Sequence, residues 1–439
     1  MGTFLKIIIP LQSHQTHTLI QKQIPSTDLL MLSLGDANFT CCDRNHVFGN
    51  GKHTYQVECD RGIVRRLLEN TILKKVEYLY DKMKKASHAR IYDTLRCGHF
   101  VRGLPSLTEE TQDTSTGFKE EDAKQKNLTQ EFRDSLRWKI SSSSPWFDEN
   151  DMSILVYAAL KSDIDLVRAL LKELMSSSSA CQQRHLTWKV RNDMTIAHFP
   201  LRNMNLITAS MAFSQDSEIV SAFLRFGFCF EQEDFMFSPL TISALLGNID
   251  NVEFWISHFP DTDLDVKNSV FGLTPLLAAL YNNNFSRQPK MCKVLLKAGA
   301  SIDAETTDGA DAISCWAGAI DTNPDTFPIL LDTFKRHGKW NPSRQRGLGH
   351  NFKWKMLHGY FICSYLCTKS QWLLGRAAVP GASYLFNAIS NDDVEIVQLL
   401  LKAGVNPQIR CFLGYDALKF CDLIGPHLSM RKVLEGHVS

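Results

Sequence analysis

The side chains best placed to do chemistry sit in a few short stretches. Gly49-Asn50-Gly51-Lys52-His53-Thr54 has the look of a phosphate loop. The Walker pattern needs an earlier glycine, five residues before the one that precedes its lysine, and Ser or Thr after that lysine. Those positions hold His46 and His53, so the backbone cradle for phosphate is not encoded and a hairpin turn is. His350, His358, Cys363 and Cys367 form a second set, with the two thiols one helical turn apart. A structural zinc needs four ligands converging on a tetrahedron. Ile362, Leu366 and Leu373 share that segment, so the thiols read as members of an apolar core, and no metal is expected. The nucleophile elbow, the kinase set, the dinucleotide fingerprint and His-Glu-x-x-His are all absent. No catalytic residue and no cofactor is assigned, and the chain is not expected to be an enzyme.

Two stretches are basic. Residues 61–102 hold 11 basic and 4 acidic side chains, a net of +7, and 335–355 hold seven basic residues with Trp340, Phe352 and Trp354. Basic and aromatic interleaving suits single-stranded nucleic acid, and a basic amphipathic helix suits an acidic surface. The whole chain argues the other way. Its 48 Lys and Arg against 47 Asp and Glu leave a net charge of +1, so nothing global favours nucleic acid or acidic lipid. Nucleic acid through these segments is therefore the weaker alternative.

Composition narrows the class further. A hydrophobic fraction of 44% and a charged fraction of 22% are those of globular protein. The 12 cysteines are irregularly spaced, and several, such as Cys292 and Cys315, fall in apolar runs. That is the pattern of free thiols in a reducing compartment, so the cytoplasm is expected, with the nucleus as alternative. The N-terminal apolar run is broken by Lys6 and Pro10, which argues against a signal peptide. Met356 to Leu374 is the nearest approach to a membrane span, and His358 and Lys369 interrupt it.

The elements that position all of this are repeated. Ser238-Pro239-Leu240-Thr241-Ile242-Ser243-Ala244 has the same shape as Thr274-Pro275-Leu276-Leu277-Ala278-Ala279-Leu280, an offset of 36 residues. The shape returns from Ser153 and from Ser383. Each copy is followed by a second helix-like string, as in Val397 to Gly404 and Cys292 to Gly299. In the tight copies the spacing between the strings is constant, from 159 to 167, 212 to 220, 244 to 252 and 389 to 397. Thr or Ser can cap the first helix, Pro fits its first turn, and Gly closes the second.

Thr274-Pro275-Leu276 with Ala279, and Glu395-Ile396-Val397 with Leu400, Leu401 and Gly404, resemble the ankyrin repeat. The resemblance implies a mainly α fold: an ankyrin-type α-solenoid over residues 151–439. About six units are expected, beginning near Ser153, Leu206, Ser238, Thr274, Asp311 and Ser383. A truncated seventh near Asp416 reads as a polar cap. An insertion at about 339–380 carries Trp340, Trp354 and Trp372, and either a loop or a degenerate helix pair would account for it. Another insertion holds Ser176 to Ser179 and Trp188.

The resemblance further implies that a protein partner binds on the concave face, built from first helices and turn arms. Phe235, Met236, Asn268, Phe271, Thr306, Arg410 and Phe412 lie on the arms and are the candidate contacts. Residues 1–103 read as short strands, a Gly49 to Gly51 hairpin and an amphipathic helix over 62–86, a small mixed α/β or partly disordered region. Residues 104–150 read as a polar linker with a short helix near Asn127 to Trp138. The expected function is that of an interaction module, scaffold or adaptor acting as a monomer. The alternative is an effector or enzyme whose activity lies in the N-terminal region.

Overall fold

The structure is a computed structural model, and it describes residues 47–49, 54–56, 60–97, 120–138, 145–191, 195–196, 199–229, 236–268, 271–281, 286–319, 322–347, 352–425 and 428–438. The fold is mainly α. The chain divides into two compact units, one within Ser26–His258 and one within Phe259–Ser439.

The first unit opens with a hairpin of β1 (Val47–Gly49) and β2 (Thr54–Gln56), in which Phe48 pairs with Tyr55. The long helix α1 (Asp60–Asp81) buries Leu68, Ile72, Val76 and Leu79 and packs on α2 (Ala86–Cys97). Then come α3 (Glu120–Ser135), α4 (Ile154–Lys161), α5 (Ile164–Met175) and α6 (Ser179–Leu186). A short hairpin of β3 (Thr195–Ile196) and β4 (Phe199–Pro200) precedes α7 (Leu206–Phe213), α8 (Ser217–Phe226), α9 (Pro239–Leu245) and α10 (Ile249–His258). First helices pack on first helices, α2 on α4, α4 on α7 and α7 on α9. Second helices form a parallel row, α3 on α5, α5 on α8 and α8 on α10. The stack therefore takes in α2 and α3, which lie N-terminal to the segment read as repeats.

The second unit repeats the plan with α11 (Pro275–Leu280), α12 (Gln288–Lys297), α13 (Ala312–Gly318) and α14 (Thr326–Arg336). After the helices α15 (Phe352–Thr368) and α16 (Gln371–Ala377) come α17 (Tyr384–Ser390), α18 (Val394–Lys402), α19 (Ala417–Ile424) and α20 (Leu428–Val438). Here α13 packs directly on α17, so the segment holding α15 and α16 does not interrupt the stack.

Sequence chemistry explains the pieces. Side chains of Ser153, Asn205, Ser238, Thr274, Asp311 and Asp416 accept from the first-turn amides of their helices. Pro239 and Pro275 occupy the first turn, where no amide is needed. Small residues such as Ala158, Ala159, Ala278, Ala279 and Ala388 are wholly buried where helices meet. Buried amides stitch neighbours together. Asn251 donates to Ser214 O at 2.9 Å, and Asn387 donates to Ser314 O at 2.9 Å.

A row of turn arms as candidate interaction surface

Between each second helix and the next first helix the chain forms an arm, and six described arms share one pattern of two backbone hydrogen bonds. In the arm at Thr306, the Thr306 N–H donates to Ala310 O at 2.9 Å and the Gly309 N–H to Thr306 O at 3.0 Å. The same pair recurs as Asn268 with Gly272 and Leu273, and as Cys411 with Gly414 and Tyr415. It recurs in the first unit as Asp148 with Asp151 and Met152, and as Val190 with Asn203 and Met204. The sixth case is Arg346 with Gly381 and Ala382, at 2.9 and 2.7 Å. The middle residue of every set has positive φ: Asp151 62°, Asn203 68°, Gly272 67°, Gly309 83°, Gly381 77° and Gly414 78°.

This equivalence locates the insertion. The chain departs after Arg346 and is back at the tip of the same arm by Gly381, because Arg346 and Gly381 are hydrogen-bonded as Thr306 and Gly309 are. The segment contains the α15 and α16 pair, which packs back on α19, with the Tyr365 and Tyr415 hydroxyls 3.5 Å apart. Cys363 and Cys367, expected in an apolar core, are instead exposed. The helix turns inward the face bearing His358, Phe361 and Tyr365, which leaves the thiols on the opposite side. His350 lies outside the described residues, and among those residues no group of three or more His, Cys, Asp or Glu is placed to hold a metal.

In the second unit the arms are tied edge to edge. The Thr307 N–H donates to Phe271 O at 2.8 Å, and the Phe412 N–H donates to Pro380 O at 3.0 Å. The approach is so close that a Cβ on Gly272 would lie 2.8 Å from Thr307 N, and one on Gly381 would lie 2.9 Å from Phe412 N. Side chains add a second layer. Arg346 pairs with Asp308, and Arg344 pairs with Glu305 and, at 3.0 Å, with Asp311. The Tyr384 hydroxyl donates to Asp311 at 2.8 Å, and Gln345 donates to the carbonyls of Gly381 and Arg410 at 3.0 and 2.8 Å. Burial is the largest influence on Arg344 and Arg346 and opposes their charge, but their neighbours together, led by Asp311 and Asp308 respectively, outweigh it and raise both guanidinium pKa values. Burial, then Asp311, pushes the Tyr384 phenol far up.

The sequence-predicted contacts fall into distinct environments. Asn268 and Thr306 are buried and lock their own arms: Asn268 Oδ1 accepts from Leu273 N at 2.8 Å, and Thr306 Oγ1 accepts from Ala310 N at 2.9 Å. Asp148 does the same for Met152 N at 3.0 Å in the first unit. Phe271 is half-buried, on the arm that neighbours Thr306. Arg410 and Phe412 are exposed together on the last arm, Phe412 at 62%. Met236 is half-buried on an arm of the first unit, and Phe235 lies outside the described residues. Arg344, Gln345, Arg346 and Gly381 were not anticipated. Gln345 and Gly381 are 36 residues apart, with the insertion between them, so no local spacing betrays the contact.

The basic stretches are partly neutralised within the fold. Arg65 pairs with Glu69, Arg96 with Asp93, and Arg90 with Asp148 and Glu149. In the later stretch Arg336 pairs with Asp332 and Lys339 with Asp303, alongside the Arg344 and Arg346 pairs.

Comparison with known proteins agrees with this geometry in one place. The ankyrin-repeat family model matches residues 271–307. Those bounds are the two residues joined by the Thr307 to Phe271 hydrogen bond, so the match spans one arm-to-arm period. No curated protein matches the chain. Among solved structures, the chain is similar to one from the complex of a predatory endopeptidase from Bdellovibrio bacteriovorus with an immunity protein. That similarity is 18% identity over 52% of this chain and 96% of that one, with a TM-score of 0.37, and it carries no functional argument. No helix among the described residues is long and apolar enough to cross a membrane.

Proposed function

We propose that the chain is a protein-interaction module, not an enzyme, and that the arms of the Phe259–Ser439 unit form its contact surface. The observation that carries the reading is the cross-tied row of arms ending in exposed Phe412 and Arg410. Backbone already ordered by hydrogen bonds loses little entropy when a partner binds. Aromatic and Arg side chains are the usual anchors of such surfaces. The match to the ankyrin-repeat model at residues 271–307 supports the same reading, since ankyrin-type arms bind proteins.

The reading carries with it a monomer in a reducing compartment, the cytoplasm in the first instance. In its support, Cys292 and Cys315 are fully buried, and burial pushes the Cys292 thiol up to about 12 and the Cys315 thiol higher still. Such thiols stay protonated and act as core side chains. Nucleic-acid binding is not favoured, because the net charge of the chain is only +1 and seven cations of the basic stretches already face carboxylates.

The test is quantitative capture from lysate on the immobilised full chain. The double variant Arg410→Ala, Phe412→Ala is compared with wild type and with Lys297→Ala, an exposed position away from the arms. A specific protein whose retention falls at least about tenfold in the double variant alone supports the reading. An unchanged capture profile would remove the arm row as the working surface.

A further inference from the structure

The insertion at the arm tip carries a surface that the arm reading does not use. On α15, Phe352, Met356, Tyr360 and Leu366 are exposed at 75, 59, 63 and 51%, and Cys363 and Cys367 are exposed with them. At roughly 100° per residue these positions fall within one stripe. The opposite face, with His358, Phe361 and Tyr365, is the buried one. Apolar side chains thus line both sides of the helix, and among the described residues only one side is covered. Contiguous exposed apolar stripes of this kind mark interaction sites.

Charge indicates what covers it. Lys353 stands roughly 100° to one side of Phe352 and Lys355 roughly 60° to the other, so cations edge the stripe on both flanks. Both are exposed, as is Lys369 just past the helix end. The chain as a whole is balanced at 48 basic and 47 acidic residues, yet no Asp or Glu occurs between Asp332 and Asp392. The occupant must therefore be anionic as well as apolar. A helix of this length offers a strip about 25 Å long. A folded partner would need a groove matched to that strip. A lipid surface has no such requirement, because it accepts a single convex helix lying in the headgroup plane, with lysines reaching up to phosphates.

We propose that α15 docks the protein on an anionic membrane surface, with the Phe352, Met356, Tyr360 and Leu366 stripe in the headgroup and acyl boundary and Lys353 and Lys355 on lipid phosphates. This site is separate from the arm surface, and either can fail without the other.

Gly359 makes the test clean. It lies in the same stripe, and a Cβ there meets nothing within 4 Å. Gly359→Glu therefore places a carboxylate in the stripe without a clash, and Glu favours helix over Gly. Full-length protein is sedimented with vesicles of phosphatidylcholine alone and with ~30 mol% phosphatidylserine. Wild type should bind the anionic vesicles only, and less as salt rises. Gly359→Glu and, separately, Lys353→Glu with Lys355→Glu should each weaken binding about tenfold or more with thermal melting unchanged. Maleimide labelling of Cys363 and Cys367, read peptide by peptide, should slow when anionic vesicles are added. Absence of sedimentation, equal binding to both vesicle types, or binding indifferent to both variants would each overturn the proposal. So would a stripe that retains a protein and ignores vesicles.

Discussion

In the unit within Ser26–His258 the left-handed residue of the described arms is Asp151 or Asn203, whereas in the unit within Phe259–Ser439 it is Gly272, Gly309, Gly381 or Gly414. A residue with a Cβ loses roughly 1–2 kcal/mol in that conformation, and Asn and Asp lose least. The glycines at 272 and 381 answer a second demand, since the next arm's backbone passes within 3 Å of where a Cβ would be. At Asp151 the neighbouring element is reached by side chains instead. The Trp188 indole donates to Asp151 O at 2.6 Å, and Arg184 pairs with the Asp151 carboxylate at 2.5 Å. One unit packs arm on arm through backbone; the other bridges its arms with side chains. The difference extends to charge. The second unit sets ion pairs along its arm row, whereas the first holds one wholly buried pair at Arg90. There the Arg90 guanidinium, 1% exposed, reaches Asp148 and Glu149 at 3.0 Å and the Leu136 carbonyl at 3.0 Å. Ser87 and Tyr157 complete the shell around Asp148, each at 2.7 Å.

The comparison breaks most easily at that point. Arg90→Leu should cost about 3–5 kcal/mol, because it strands the Asp148 charge in a buried site. Urea unfolding would measure it, and adding Asp148→Asn should recover part of the loss. A cost below about 1 kcal/mol would mean that water reaches Asp148 freely.

Next in size is the glycine contrast. Gly381→Ala should destabilise by about 2–3 kcal/mol, since it combines a strained φ with a clash on Phe412 N. Asn203→Gly, at the equivalent position of the other unit, should change stability by less than ~1 kcal/mol. Similar values for both would remove the distinction between backbone-packed and side-chain-bridged arms.

The smallest expected effect is a pH dependence in the first unit. His185 is 2% exposed, tilted against Phe147 at 4.6 Å between ring centroids, with Nδ1 on Cys181 O at 2.9 Å and Nε2 without a partner. Burial lowers its pKa below the ordinary histidine value. The unfolded chain therefore binds the proton first as pH falls. The stability His185 contributes is complete above about 6.5 and is lost on acidification toward its lower folded pKa. His88 shifts the same way, through burial and then Lys85, so the dependence is shared. The melting temperature should fall as pH drops from about 7 to about 5, and His185→Phe should flatten that slope without abolishing it. An unaltered slope would show that the ring is hydrated.

The sequence read alone determined the mainly α class, the helix pairs and their caps. Ser238 with Pro239, Thr274 with Pro275, and the closing glycines Gly299 and Gly404 are local signals, and local spacing reports the requirements of a turn or a cap directly. The ankyrin-repeat match likewise falls in the glycine-armed unit, at 271–307. Asp151 and Asn203 hid the same turn, because Asp and Asn are common for many other reasons. The exposure of Arg410 and Phe412, the burial of Asn268 and Thr306, and the outward turn of Cys363 and Cys367 were decided by tertiary packing. So were the joining of Arg346 to Gly381 across the insertion and the reach of Arg90 to Asp148, 58 residues away. Residue types state what a side chain can bond to. Which partner it meets depends on contacts between segments far apart in the chain, and only the folded stack brings those segments together.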